Sequence, residues 1–175
     1  MHENKMRKDP QPLFDFLNKL EIVVTTHYHE ALFKVSEGEQ IKAKISGGHT
    51  KKFFLKDKKG QYFLVILEDY ALVDLKQLHK IIGASGRLSF GSAEKLSQYL
   101  GLYPGAVSVF GLLNDKENHV RLILDKDLMQ NIYINCHPLT NEATTSIHRD
   151  DLLKFVEATH HDVRILHISQ NQGLN

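Results

Sequence analysis

Phe53-Phe54-Leu55-Lys56-Asp57-Lys58-Lys59-Gly60-Gln61-Tyr62-Phe63-Leu64-Val65-Ile66-Leu67 sets two apolar runs on either side of a polar hexapeptide centred on Asp57-Lys58-Lys59-Gly60. Aromatic and branched side chains favour extended backbone, and Gly60 supplies the positive φ of a tight reversal, so the stretch predicts a β-hairpin. Downstream, Val107 to Leu113 and Val120 to Leu124 read as strands joined by a turn at Asn114-Asp115; Asn131 to Cys136 reads as another, and Val163 to Ile168 as a closing one. Upstream, Ile22 to Thr26 turns β-branched, and Gln40 to Ser46, after the apolar stretch Ala31 to Val35, alternates like a half-buried strand.

Between these runs the period changes to that of helices. Leu13 to Leu20 follows two prolines with apolar residues at helical spacing. Asp74 to Gly83 sets Leu75, Leu78 and Ile82 on one face between an Asp N-cap and a Gly C-cap. A third helix starts at Ser92, carries Glu94 in its first turn, turns Ala93, Leu96 and Leu100 inward and ends at Gly101; a last one opens at Asp150 with Leu152, Leu153 and Val156 inward. Helices interspersed with hairpins predict an α+β class: one curved, barrel-like, mostly antiparallel sheet flanked by helices. The doubly wound alternative lacks its phosphate fingerprint, which neither Gly47-Gly48 nor Gly83-Ala84-Ser85-Gly86 fits.

The length of 175 residues, 42% hydrophobic and 25% charged, suits one domain over 1–175, with 1–12 read as a flexible N-terminal segment. No run of about 18 apolar residues and no signal-type N-terminus is seen, so no membrane is expected and the expected location is cytoplasmic. One cysteine, Cys136, excludes an intrachain disulfide and a cysteine-built zinc site.

The net charge of +1 is uninformative, but local charge is not. Seven lysines from Lys42 to Lys59, Lys42 and Lys44 among them, share the interval with one carboxylate, Asp57. That composition suits a partner carrying several phosphates, and equally a solvated hairpin face. Lys51 stands apart because it follows Gly47-Gly48-His49-Thr50, whose glycines permit close approach by a ligand. A lysine there suits a phosphate or a developing oxyanion better than base catalysis. Gly101-Leu102-Tyr103-Pro104-Gly105 reads as a helix stop, and as a rigid loop able to present backbone groups to a substrate. Asn135 to Thr145 collects a histidine, His137, with amides and hydroxyls where an apolar strand ends, the make-up of a polar site. Cys136 and His137 are adjacent and point to opposite faces of a strand, so a thiol-imidazole dyad is not expected. His27 and His29 share a face if extended, yet no third ligand of matching spacing declares itself; no metal site is assigned.

Three segments acquire a common meaning when taken in order. His49-Thr50-Lys51 followed by Phe54 to Gly60; Gly101, Pro104 and Gly105 with Phe110-Gly111-Leu112 and Asn114-Asp115; and His137-Pro138 with Asn141, Thr144 and Thr145 resemble the prolyl-tRNA editing family of aminoacyl-tRNA deacylases, the YbaK/ProX superfamily, in its PrdX (ProXp-ala) branch. The resemblance spans roughly 13–168. It implies hydrolysis of the ester joining a wrong amino acid, above all alanine, to the 3'-terminal adenosine of proline tRNA, with no cofactor and with prolyl-tRNA synthetase as a further partner. It puts the functional lysine at Lys51 and adds Gly101, Pro104, Gly105 and His137 to the catalytic set. Lys52, His49, Thr50, His29, Asn141, Thr144, Lys42 and Lys44 would bind substrate or tRNA. Lys52 stands where the branch usually has asparagine, and Glu30 where proline is typical. Such an editing site answers a physical need, since one missing methylene is worth only about 1–3 kcal/mol and a proline pocket cannot strongly reject a smaller side chain. The alternative reading is a non-catalytic module of the same fold that holds an aminoacyl-tRNA end or a synthetase. A third, a metal hydrolase, would be built on His27 and His29.

Overall fold

The computed structural model describes residues 9–31 and 35–170. In chain order they form α1 (Gln11–Lys19), β1 (Thr25–Tyr28), α2 (Val35–Lys44), β2 (Gly48–Lys56), β3 (Tyr62–Glu68), α3 (Leu78–Ile82), β4 (Ser89–Phe90), α4 (Ala93–Leu100), a tight helical turn (Val109–Asn114), β5 (Val120–Asp125), a second such turn (Leu128–Gln130), β6 (Tyr133–Cys136), β7 (Ala143–His148), α5 (Arg149–Ala158) and β8 (Ile165–Leu166). Residues 1–8 of the expected flexible segment, and Leu32, Phe33 and Lys34, lie outside the described residues; Gln11 and Pro12 already belong to α1.

The hairpin forms as its sequence predicts, with β2 and β3 antiparallel from Thr50 opposite Glu68 to Lys56 opposite Tyr62. Asp57 organises the reversal: its Oδ1 accepts from the N–H groups of Lys59 (2.9 Å) and Gln61 (3.0 Å), and Gly60 takes φ +84°. The strands join one open, mixed, eight-stranded sheet in the order β1-β7-β6-β2-β3-β5-β8, with β4 also on β2. β6 on β2, β5 on β3 and β8 on β5 are parallel; the other pairings are antiparallel.

Central β3 is buried on both faces, which is why it reads as an unbroken apolar run. Leu64 and Ile66 meet α1, α4 and α5 through Leu13, Leu17, Leu96, Leu100, Leu152 and Phe155, while Phe63, Val65 and Leu67 meet Leu78, Ile82 and Ile123 on the other side. At about 25 cal/mol per Å² of apolar surface removed from water, these two layers are the main favourable term in folding.

Several elements depart from the sequence reading. Gln40 to Ser46 is not a strand: α2 covers Val35–Lys44, because Glu39-Gln40-Ile41-Lys42-Ala43-Lys44 are all acceptable helix formers and a short period-two pattern does not outweigh them. Val107 to Leu113 is not a strand: Val109–Asn114 form a tight helical turn, capped by Ser108, whose Oγ accepts from Phe110 N–H (3.2 Å). Gly111 lets the turn pack closely on α4 and the loop after it, since a Cβ there would come within 2.6 Å of Leu102 Cδ1 and 3.0 Å of Leu100 Cβ. The Asp74 helix begins at Leu78, Asp74 instead closing a local turn through Lys76 N–H (3.0 Å). Ala93 is exposed, and the closing strand is confined to Ile165–Leu166.

Candidate functional site

β2 has two neighbours along one edge, and they do not meet. β6 pairs with it only at Gly48 opposite Ile134 and His49 opposite Asn135, and then departs; β4 takes up pairing only at Leu55 and Lys56. Between them Thr50 to Phe54 have no strand neighbour on that edge. A cavity of about 410 Å³ opens there, lined by Gly38, Lys42, His49, Thr50, Lys51, Lys52, Asp69, Gly105, Val107, Asn135, Cys136, His137 and Thr144. Its volume falls within the range of ligand pockets.

The glycines before β2 have a structural reason. Gly47 takes φ +104°, and a Cβ would stand 2.9 Å from the Tyr133 carbonyl; at Gly48 it would meet Asn131 Nδ2 at 2.6 Å. They let β2 and β6 approach each other, rather than a ligand approach the loop. Thr50 Oγ1 donates to the Asn135 carbonyl (2.9 Å) just where the strands part.

The cations have different surroundings. Lys42 is held by Asp69 and lies 3.7 Å from Glu39. Lys51 Nζ donates to the Ala71 carbonyl, on the β3 side. Lys52 is half-buried, with the Thr50 carbonyl 3.5 Å away, and among the described residues no carboxylate pairs with it. Burial lowers its pKa, the Cys136 thiol opposing and Lys42 adding to the effect. Lys44 is exposed and does not line the cavity.

His137 Nδ1–H donates to the Ala143 carbonyl (2.9 Å), which fixes the tautomer and leaves Nε2 with its lone pair. Burial, followed by the charge of Lys52, lowers its pKa to about 4 against the pull of that hydrogen bond, so the ring is neutral at physiological pH. Burial pushes the Cys136 thiol up to about 12, so no thiolate nucleophile is present.

The cavity therefore gathers eight residues the sequence nominated: Lys51, Lys52, His49, Thr50, Lys42, Gly105, His137 and Thr144. Gly101, Pro104, His29 and Asn141 lie outside its lining. Gly101, at φ +64°, caps α4 and packs on Asn114, whose side chain donates to the Leu100 carbonyl; Pro104 is exposed. His29 supports Thr144 from behind: its Nδ1–H donates to the Glu30 carbonyl (2.8 Å), so Nε2 accepts from the Thr144 hydroxyl (2.9 Å). Both ring nitrogens are thereby engaged, which removes His29 from a metal pair with the exposed His27. Asn141 is bonded to Tyr103. Gly38, Asp69, Val107, Asn135 and Cys136 complete the lining; of these, Asn135 was signalled by its place in the polar stretch at the end of β6.

A family model described as the aminoacyl-tRNA editing domain matches residues 29–155, and the chain belongs to that family. Within it, the relatives are those of the YbaK/ProX prolyl-tRNA editing group. The chain is 38% identical to the prolyl-tRNA editing protein ProX of Acetoanaerobium sticklandii, over 81% of this chain and 87% of that one. It is 36% identical to prolyl-tRNA synthetase associated domain-containing protein 1 of Danio rerio, over 88% and 84%. The fold matches solved structures at low identity, among them a candidate trans-editing enzyme for prolyl-tRNA synthetase, with TM-score 0.61, 18% identity and coverage of 82% and 86%. Among the described residues no helix is long and apolar enough to cross a membrane.

Proposed function

We propose that the protein is a trans-editing deacylase that hydrolyses the aminoacyl ester of mischarged proline tRNA, with alanyl-tRNA(Pro) as its substrate. The observation that carries this reading is the cleft at the parting of β2 and β6, which combines lysines, a neutral histidine and hydroxyls and has no thiolate nucleophile. Water attacks the ester carbonyl, and a hydroxyl of the terminal ribose assists it, which accounts for the lack of a strong protein base. Lys51 engages the terminal phosphate or the charge developing on the carbonyl oxygen, and Lys52 adds a second cation deeper in. His137 Nε2 accepts a hydrogen bond from the substrate and orients it. Gly105 borders the space for the side chain, and crowding there excludes proline while admitting alanine. The acceptor end of the tRNA is the partner, and prolyl-tRNA synthetase its source.

The experiment is release of alanine from purified alanyl-tRNA(Pro), beside prolyl- and cysteinyl-tRNA(Pro), with Lys51→Ala as control. Selective loss of alanine, reduced roughly 10²- to 10³-fold in Lys51→Ala, is the expected result, the size expected for removing one oxyanion-type donor. Failure to hydrolyse any of the three, with tRNA binding retained, would shift the reading to a binding module.

A further inference from the structure

Phe90 is 64% exposed, yet its backbone is fixed. It pairs with Leu55 of β2, and the next residue, Gly91, donates its N–H to the Phe54 carbonyl at 2.9 Å. Gly91 lies so close to β2 that a Cβ would stand 2.4 Å from the Phe54 ring. A single exposed aromatic needs no account, but this one is not single. Side chains alternate along a strand, so Lys51, Phe53 and Leu55 share one face of β2, and Phe90, opposite Leu55, shares it with them. The Phe53 ring is 6.3 Å from that of Phe90. β4 also borders the gap beside Thr50 to Phe54 in which the cleft opens, so the ring stands at one end of that gap.

Cations surround the ring. Lys56 is opposite Ser89, Arg87 comes three residues before Phe90, and the stem of Lys58 packs on Gly86, where an added Cβ would come 2.7 Å from Lys58 Cδ. All three are exposed, and among the described residues none of them is ion-paired. The carboxylate of the lysine run, Asp57, is buried and committed to the N–H groups of Lys59, Gln61 and Ser85, while Glu94 belongs to the first turn of α4. A rigid exposed ring flanked by unpaired cations suits single-stranded nucleic acid, because a base of any identity stacks on the ring and the cations take the phosphates. A protein partner would favour the ring but not the charges, which are depleted at the centre of such interfaces.

We propose that Phe90 is the stacking platform for one of the unpaired nucleotides that precede the terminal adenosine of the tRNA, with Lys56, Lys58 and Arg87 on the phosphates. This rests on the deacylase reading given above, which puts that adenosine at Lys51. The strand between Lys51 and Leu55 is about 13 Å long, a length covered by about four stacked nucleotides at about 3.4 Å each.

The test uses Phe90→Ala and Phe90→Trp, which keep the fold because the ring belongs to neither core layer. Phe90→Ala should raise KM for alanyl-tRNA(Pro) roughly 5- to 100-fold, the range for removing the aromatic partner of one base, and keep kcat within about twofold. Phe90→Trp should keep the wild-type KM. On the alanyl ester of free adenosine, which has no further nucleotide to stack, Phe90→Ala and wild type should have equal kcat/KM. The Kd of a fluorescein-labelled single-stranded oligoribonucleotide ending in CCA, read by anisotropy, should weaken by the same factor in Phe90→Ala and hold in Phe90→Trp. Ring-dependent binding of that oligoribonucleotide by a protein that hydrolyses no aminoacyl ester would sink the deacylase reading and leave the platform standing. Hydrolysis of alanyl-tRNA(Pro) with KM and Kd unchanged in Phe90→Ala would do the reverse. An equal loss on the adenosine ester would show that the ring acts by packing the cleft, and would overturn the platform too.

Discussion

Tyr103 and Asn141 are bonded to each other twice. The Tyr103 hydroxyl donates to Asn141 Oδ1 (2.8 Å) and accepts from the Asn141 backbone N–H (3.1 Å). This clamp ties the loop after α4 to the loop between β6 and β7, two segments 38 positions apart in the chain. The first carries Gly105 and Val107 to the cavity, and the second leads into Thr144.

Removing the clamp should cost function more than fold. Each hydrogen bond is worth about 0.5–1.5 kcal/mol net, and the loops stay anchored by Leu102 and Ala106 beneath them. Tyr103→Phe is expected to lower kcat/KM for the alanyl ester about 5- to 30-fold, since small misplacements of positioning groups carry large rate penalties. A steady-state comparison on alanyl- and prolyl-tRNA(Pro) checks it; unchanged kinetics would mean that the loops hold their geometry without the clamp.

How much of this site was legible in the sequence depended on whether a residue's role was local. Gly60, Ser92 and Gly101 act on their own turns or helix ends, and each stands where the sequence put it. The parting of β6 from β2 is not local. It depends on Asn131 and Asn135 packing on Gly47 and Gly48, more than 80 residues away in sequence, so the glycines signalled close approach without showing by what. The same limit explains why Asn135 was signalled only as one member of a polar stretch, with no role of its own. Its Nδ2 donates to the Ser46 carbonyl, a contact formed only on folding.

Cys136 is deep in the cleft and beside Lys52, where a thiolate would be drawn if it could form. Burial keeps it a thiol. Cys136→Ala should therefore keep kcat within about threefold of wild type and fold with a loss of about 1–2 kcal/mol for the small cavity left. Kinetics of the alanyl ester with and without a thiol-alkylating reagent at pH 7.5 check this. Loss of more than tenfold in the alanine variant would return the thiol to the chemistry.

Far from the cleft, Asp115 gathers a buried network. Its Oδ2 accepts from Val120 N–H (2.8 Å) and from His161 Nε2–H (2.9 Å), and its Oδ1 from His119 N–H (3.0 Å). Burial alone would raise this carboxyl, but the His161 bond and the two backbone N–H groups hold it below its usual value. A carboxyl with a depressed folded pKa lends stability above its unfolded value near 3.9, and that stability is lost as pH falls through the lower folded value. Asp115→Asn should cost about 3–5 kcal/mol at pH 7, because it leaves a buried pair broken on one side. Urea unfolding at pH 7 and at pH 3 is the check: the gap between wild type and variant should shrink in acid.

His137 is predicted to add to the loss of stability in acid. Its pKa falls from 6.5 to about 4 on folding, so between these values the unfolded chain binds the extra proton and the folded one does not. The resulting penalty is absent above pH 6.5 and grows as pH drops, to about 3 kcal/mol near pH 4 at 1.36 kcal/mol per pKa unit. His137→Gln should lose that part of the acid sensitivity, read from unfolding midpoints between pH 7 and pH 4. In the wild type, kcat should show no inflection from this ring between pH 5.5 and 8, and one that vanished in His137→Gln would contradict a neutral imidazole.

Lys52 is expected to set stability against function. An ammonium half-buried without a carboxylate partner among the described residues is costly to the fold, and the direction of its pKa expresses that cost. A bound phosphate or oxyanion would offset it, as the proposed role of the cleft requires. Replacing Lys52 with asparagine, the residue usual in the branch that the sequence resembles, should raise the unfolding free energy by about 1–3 kcal/mol and weaken the hold on the substrate. KM for alanyl-tRNA(Pro) should rise about 5- to 20-fold at low salt, with the difference narrowing as added salt screens the wild-type lysine. Thermal unfolding and a KM series over ionic strength read the two effects independently. A variant that is less stable and has an unaltered KM would show that Lys52 is a packing residue, its stem filling the floor of the cleft and its charge directed at nothing.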